Sequence, residues 1–151
     1  MTESEINLTV RPLTQSDAPF AAEIEALSLD KEAWSAQGII DTMALNGHYL
    51  GAFVGDKLVG HGGFTSVVDE GYITNVAVHP DFRRKGIAFR LTESLKSEAQ
   101  KLKLSFLTLE VRESNLAAIK LYEKTGFKPV GKRKRFYSDP TEDAIIMTLN
   151  F

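Results

Sequence analysis

Residues 83–88 read Arg-Arg-Lys-Gly-Ile-Ala, three cations followed by a glycine, a branched apolar residue and a small one. The chemistry open to such a run is anion binding. A helix that starts at a glycine presents unpaired backbone N–H groups and the positive end of its dipole, both suited to a phosphate or pyrophosphate. Gly86 and Ala88 are small enough to let the anion reach the backbone, and Arg83, Arg84 and Lys85 add full charges. The same residues also make an ordinary basic turn that keeps a surface hydrated, and the local sequence leaves both readings open. It contains neither G-x-x-x-x-G-K-S/T nor G-x-G-x-x-G, so nucleotide hydrolysis and hydride transfer lack their usual signatures.

Three further residues have chemistry to offer. Glu110 lies between Leu109 and Val111, where a carboxylate is either a strand-end acid in solvent or an acid at a site. Asn115 stands before a helical stretch and is suited to cap it. Tyr122 follows Ile119 by three residues and Leu116 by six, so it is either an ordinary core tyrosine or a hydroxyl donor at a site. His79, beside Pro80, reads as a surface turn residue. His48 and His61 show no metal-ligand spacing with each other or with paired acids, and no metal site is expected.

The elements that must position these residues emerge from pattern. A strand is expected at about Leu8–Arg11. A helix comes next over 14–28, with Asp17 as its cap and Pro19 in its first turn, and a second over 35–45 is capped by Ser35. Two strand-like runs meet at Gly55-Asp56 as in a hairpin, and a third, 72–78, stops before Pro80. Ile87, Leu91, Leu95 and Leu102 fall at helical spacing from Gly86 onward. A strand over 106–111 then leads to a helix closed by Gly126, and strands near Lys128–Phe136 and Ala144–Leu149 complete the chain. The strand–helix–strand unit from Tyr72 to Val111 implies two parallel, right-handed neighbours, with antiparallel hairpins around them. Ligands in such sheets lie beyond the carboxyl ends of the parallel strands, beyond Val78 and Val111.

Composition sets the limits. The chain has 151 residues, 43% hydrophobic and 25% charged, the balance of one ordinary domain. Eighteen Lys+Arg against 20 Asp+Glu give a formal net charge of -2, so neither nucleic acid nor a membrane surface is expected as the main partner. Cysteine is absent, which excludes a disulfide framework and a thiol nucleophile. The first ten residues lack a basic and then apolar leader pattern, and a cytoplasmic location is expected.

The run NVAV, then HPDFRRKGIA, then LEVRESNLAAIKLYEKTGF resembles the GNAT superfamily of N-acetyltransferases, in detail over most of residues 70–127 and in element order over the whole chain. The closing EDAIIMTL and the early AWS look like the RimI group of ribosomal-protein-alanine acetyltransferases. The resemblance implies a single acetyltransferase domain over 1–151. It implies an α/β (α+β) fold: a mixed, mostly antiparallel sheet of six to seven strands, about four helices and a central parallel unit. The cosubstrate it implies is acetyl-CoA, with Val76, Ala77 and Val78 along the acetyl-pantetheine arm. Arg83, Arg84, Lys85, Gly86, Ile87, Ala88 and Phe89 would hold the pyrophosphate, and Asn115 would add a hydrogen bond to CoA. Glu110 would be the general base and Tyr122 the donor to the departing thiolate, while Trp34 and Tyr137 would border the substrate. Two positions depart from the group: Ala33 replaces a common Pro before Trp34-Ser35, and Phe136-Tyr137 replaces a Tyr pair.

Without cysteine, a thioester on the enzyme is excluded, and direct attack by the amine in a ternary complex is the expected route. The amine must first be neutral. An α-amine costs about 1 kcal/mol to deprotonate at pH 7, a lysine about 4.6. One carboxylate acting through water suits the easier task, in agreement with the implied transfer to the N-terminal alanine of a ribosomal protein. The alternatives are another amine (lysine side chain, polyamine, antibiotic or amino acid) or a CoA-binding module without turnover. The oxyanion donor expected is the backbone N–H of Val78.

Overall fold

A computed structural model describes residues 7–29 and 32–151. In chain order the elements are β1 (Leu8–Pro12), α1 (Ala18–Ser28), α2 (Ala36–Leu45), β2 (Gly47–Val54), β3 (Lys57–Val67), β4 (Glu70–Val78), α3 (Ile87–Lys101), β5 (Phe106–Arg112), α4 (Leu116–Lys124), β6 (Lys128–Tyr137) and β7 (Glu142–Asn150). The strands form one sheet in the order β1-β2-β3-β4-β5-β7-β6. All neighbours are antiparallel except β4 and β5, the pair joined through α3. This is the mixed sheet with four helices and a central parallel unit expected from the sequence. Among the described residues, no helix is long and apolar enough to cross a membrane.

Two apolar cores sandwich the sheet. One, under α1 and α2, gathers Leu13, Ile24, Ile39, Tyr49, Phe53 and Ala77. The other, under α3 and α4, gathers Phe64, Leu91, Leu95, Leu107, Phe127 and Met147. Helix α3 buries Ile87, Leu91, Leu95 and Ala99, each four residues from the last, and every large member contributes about 1.5–3 kcal/mol. Leu102, expected on this stripe, instead sits at the C-cap and is exposed, because the helix ends and the chain turns toward β5. Gly62 explains how closely α3 lies on the sheet: a Cβ there would stand 3.1 Å from Leu95 Cδ1 and 3.2 Å from Val76 Cγ2.

Asp17 also departs from expectation. It lies in helical conformation at the end of a short 3-10 turn, and its carboxylate turns back to accept from the Thr14 N–H at 2.8 Å and from Arg11 Nη1 at 3.0 Å. It therefore closes that turn rather than capping α1. Ser35 does cap α2, its Oγ accepting from the Gly38 N–H at 3.0 Å.

The feature that makes room for a site is the separation of β4 from β5. They pair only from Glu70↔Phe106 to Tyr72↔Thr108. One residue later the register of β4 on β3 jumps from Phe64↔Ile73 to Gly63↔Asn75, leaving Thr74 as the extra residue of a β-bulge. A bulge bends its strand and re-aims the residues beyond it. Past Thr74 the inner edges of both strands have no strand partner, and the sheet opens into a split.

Candidate active site

The split is the floor of a cavity of about 830 Å³, lined by Ile73–Val76 of β4, Leu109–Arg112 of β5, Asn115, Ala118 and Tyr122 from the α4 segment, and Trp34 and Tyr137. The β4 wall carries free hydrogen-bonding groups. The His79 N–H donates to the Val59 carbonyl at 2.8 Å, and antiparallel alternation then commits Ala77 to β3 as well. The N–H groups of Val76 and Val78 consequently face the split. The Val78 carbonyl is already occupied, accepting from Ser28 Oγ at 3.0 Å. Ala77 is not brought to the site: its backbone pairs with His61 and its side chain is buried in the α1/α2 core.

A smaller pocket of about 200 Å³ begins at Val78 and continues along Phe82, Arg83, Arg84, Gly86, Ile87, Ala88 and Phe89 to Leu121. Helices α2 and α4 are capped by the side chains of Ser35 and Asn115, but α3 starts at Gly86, which has no side chain to cap with. Its first-turn N–H groups are therefore left for a ligand. Gly86 takes φ 79°, a left-handed conformation that glycine adopts without penalty, while Arg84 at φ 61° holds the same sign at a cost. This open helix start fits a pyrophosphate. Lys85 borders neither cavity.

The two titratable candidates reach the split from opposite faces. Along β5 the buried residues alternate, Leu107, Leu109 and Val111 facing α3 and α4, so Glu110 and Arg112 face the other side. Glu110 Oε1 accepts from Arg133 Nε at 3.2 Å, and Oε2 has no hydrogen-bond partner among the described residues. Tyr122 stands on the α3/α4 side, buried, with its ring edge-on to Phe127 at 5.6 Å. Gly126, at φ 104°, ends α4 in a Schellman turn. The Phe127 N–H returns to the Tyr122 carbonyl at 2.9 Å and the Gly126 N–H to the Glu123 carbonyl at 3.0 Å. The Tyr122–Phe127 contact is the apolar lock of that turn, which fixes the ring. Burial pushes the Tyr122 phenol well above its usual range, so at neutral pH it donates a hydrogen bond rather than losing its proton. Asn115 caps α4, its Oδ1 accepting from the Ala118 N–H at 3.2 Å, which leaves its amide N–H₂ available to a ligand.

The outer wall is held by Arg112, a residue that sequence reading passed over. Its guanidinium donates to Glu32 Oε1 at 2.7 Å, to Glu142 Oε1 at 3.1 Å and to the carbonyls of Pro140 and Ser138 at 3.1 and 3.2 Å. It also lies 4.4 Å from the centre of the Tyr137 ring. Tyr137 is pushed up to about 12 by burial, with the Glu110 and Glu32 carboxylates adding to the effect. Arg112→Ala should therefore release the β6–β7 loop and, for the acetyl transfer that the sequence resemblance implies, lower kcat/KM for the amine about tenfold while moving the KM of acetyl-CoA less than about twofold. Arg112→Lys should rescue little, because an ammonium cannot reproduce the fork. Steady-state kinetics with each substrate varied in turn checks this.

The other residues missed are buried. Glu25 and His61 are almost wholly buried, with Glu25 Oε2 3.4 Å from His61 Nε2. Burial raises Glu25 to about 7 and lowers His61 to about 4. Between about pH 4.5 and 7 the folded state keeps a Glu25 proton that the unfolded chain sheds, so this contribution to stability falls as pH rises. Between about pH 4 and 6.5 the folded imidazole refuses a proton that the unfolded chain takes, so its contribution rises. The two oppose each other from about 4.5 to 6.5. Glu25→Gln removes only the first, and its unfolding free energy should climb with pH over that window more steeply than that of the unmodified protein, by up to about 1.4 kcal/mol per pH unit. Urea unfolding at several pH values measures the difference. A signal was present: Glu25 falls seven residues after Ala18 and four after Ala21, on the buried stripe of α1. No cluster of three or more His, Asp or Glu able to hold a metal ion occurs among the described residues.

Comparison with known proteins agrees with this geometry. Residues 8–127 match the profile described as the acetyltransferase (GNAT) family. A ribosomal protein bS18-alanine N-acetyltransferase of Salmonella typhimurium is 36% identical over 145 residues, 93% of this chain and 96% of that one. The N-alpha-acetyltransferase RimI of Mycobacterium tuberculosis is 33% identical over 153 residues, 97% of this chain and 95% of the relative. The crystal structure of the Escherichia coli alanine N-acetyltransferase of the same ribosomal protein superposes with a TM-score of 0.87 at 34% identity, covering 95% of this chain and 93% of that one.

Proposed function

Because the chain belongs to the acetyltransferase (GNAT) family, we propose that it transfers the acetyl group of acetyl-CoA to the N-terminal α-amine of an alanine-initiated ribosomal protein, by direct attack in a ternary complex. The observation that carries this reading is the β4–β5 split, where Glu110 and Tyr122 reach one cavity from opposite faces while the Val76 and Val78 N–H groups line its edge. Of the two relatives matching nearly the whole chain, the Salmonella protein is named for the alanine of a ribosomal protein and the Mycobacterium protein for N-alpha acetylation.

The residues divide the work. The open start of α3, with Arg83, Arg84 and Gly86, holds the pyrophosphate. The Val76 N–H bonds the pantetheine arm, which aims the thioester carbonyl at the Val78 N–H in the split, with Asn115 adding its amide. Glu110, through water, takes a proton from the α-ammonium, a task of about 1 kcal/mol at pH 7. The neutral nitrogen then attacks the thioester carbon, the Val78 N–H stabilises the oxyanion, and the nitrogen sheds its surplus proton to water as the amide forms. As the C–S bond breaks, the Tyr122 hydroxyl donates a hydrogen bond to the thiolate. Full transfer from so weak an acid to a thiolate of ordinary basicity is uphill, so the thiolate takes its final proton from water. Trp34 and Tyr137 border the incoming N-terminus. On this reading residues 1–151 act as one domain in the cytosol, where ribosomal proteins are made.

Acetyl-CoA is incubated with the protein and, in parallel, with an alanine-initiated peptide, spermidine, free amino acids and an aminoglycoside. The peptide should gain one acetyl group at the highest kcat/KM. Brisk acetylation of a small amine, with the peptide unchanged, would overturn the reading.

A further inference from the structure

The mechanism above makes no use of the buried Glu25, yet this carboxyl sits directly behind the cavity. Its Oε1 accepts two hydrogen bonds, from the Trp34 backbone N–H at 3.1 Å and from Asn75 Nδ2 at 2.7 Å. Trp34 and Asn75 both line the cavity, one from the segment between α1 and α2, the other from β4 just past the Thr74 bulge. The segment around Trp34 has no strand neighbour, so its inward N–H needs a buried acceptor, and the helix supplies one. We propose that Glu25 is a positioning residue of the acetyl-transfer site: through one carboxyl oxygen it ties the Trp34 main chain to the Asn75 side chain of β4, fixing the acceptor-amine wall against the strand that bonds the thioester arm.

The surroundings explain why a carboxyl can occupy this place. Around the pair stand Ala21 of α1 and Tyr49 of β2, and Ala77 of β4 is the register partner of His61. Among the described residues no lysine or arginine pairs with Glu25; its ionisable neighbours are His61 of β3 and the Tyr49 phenol of β2. Burial keeps the proton on the carboxyl and off the imidazole, so both groups stay neutral and avoid the cost of a buried ion. The second carboxyl oxygen stands 3.4 Å from Nε2, whose ring makes no hydrogen bond among the described residues, and the first accepts from the two donors. An alanine at position 25 would strand the Trp34 N–H and free the wall. A glutamine keeps an acceptor for both donors and offers an N–H toward His61.

The inference rests on the proposed function for what the wall receives, while the tie itself has a readout that needs no substrate. Trp34 is the single tryptophan of the chain, so fluorescence quenching by acrylamide reports the release of this segment. Glu25→Ala should raise quenching and raise the peptide KM about tenfold, the size of one lost buried hydrogen bond, with the KM of acetyl-CoA within about twofold. Glu25→Gln should restore both readouts to within about twofold of the unmodified protein. Where the alanine variant fails to fold, Asn75→Ala, which removes one donor and keeps the carboxyl, should move the same readouts the same way by a smaller factor. Unchanged quenching and peptide KM in the folded variants, a KM for acetyl-CoA that rises in step, or a glutamine variant as impaired as alanine each overturns the tie. If the unmodified protein acetylates no peptide α-amine, the proposed function fails, and the quenching series still decides whether Glu25 holds Trp34.

Discussion

Replacing Glu110 by Gln should lower kcat about 10²- to 10⁴-fold for a peptide amine at neutral pH, the range spanned by a lost general base. The amide keeps the shape of the side chain and can still accept from Arg133, so wall and fold are retained while proton uptake is lost. The KM of acetyl-CoA should stay within about twofold, because the phosphate site at Gly86 and the Val76 and Val78 N–H groups lie on other elements. The defect should shrink as pH rises from about 7 to 9, since an α-amine with pKa about 8 becomes neutral in solution and no longer needs the carboxylate. A full pH–rate profile of variant and parent measures this. A defect that is constant across pH would mean that Glu110 positions the amine rather than deprotonating it.

Tyr122→Phe should cost about 10²- to 10³-fold in kcat, the effect of removing one donor aimed at developing negative charge. It isolates the hydroxyl well. The ring contact with Phe127, which locks the end of α4, survives in phenylalanine, and the hydroxyl has no protein hydrogen bond to lose among the described residues. Stability by chemical unfolding should thus change by less than about 1 kcal/mol. Since burial raises this phenol above its ordinary range, the unmodified enzyme should show no loss of rate from Tyr122 ionisation up to about pH 10. A thioester whose thiol is more acidic should narrow the gap between the two proteins, because a better leaving group needs the hydrogen bond less. Rates with such a donor, set beside acetyl-CoA, test this directly.

Much of this site is legible in sequence because its parts are local. Gly86 before an apolar stripe, Asn115 before a helix and Gly126 after one each announce a backbone geometry within a few residues, and all three appear as read. Glu110 is legible as an oddity between Leu109 and Val111, and strand alternation places it on the face opposite theirs. Long-range features are another matter. The bulge at Thr74, which opens the split, is set by the register of β3 on β4, and nothing local in the run around Thr74 marks it. The Glu25–His61 pair depends on how α1 docks across the sheet, 36 residues of chain being irrelevant to a separation of 3.4 Å. Arg112 likewise joins Glu32 to Glu142 only after folding. Ala77 shows the limit of reading a three-residue motif: neighbours in a strand face opposite ways, and its side chain lies in the α1/α2 core while the Val76 and Val78 N–H groups face the split.

On the proposed function, the β4–β5 split delivers acetyl to an α-amine. Its most direct test is tandem mass spectrometry of a peptide carrying both an N-terminal alanine and an internal lysine, after limited turnover at saturating acetyl-CoA. The expected result is one acetyl group on the α-nitrogen, formed far more slowly by the Glu110→Gln variant. Acetyl on the lysine ε-nitrogen, or equal labelling of both amines, would contradict it.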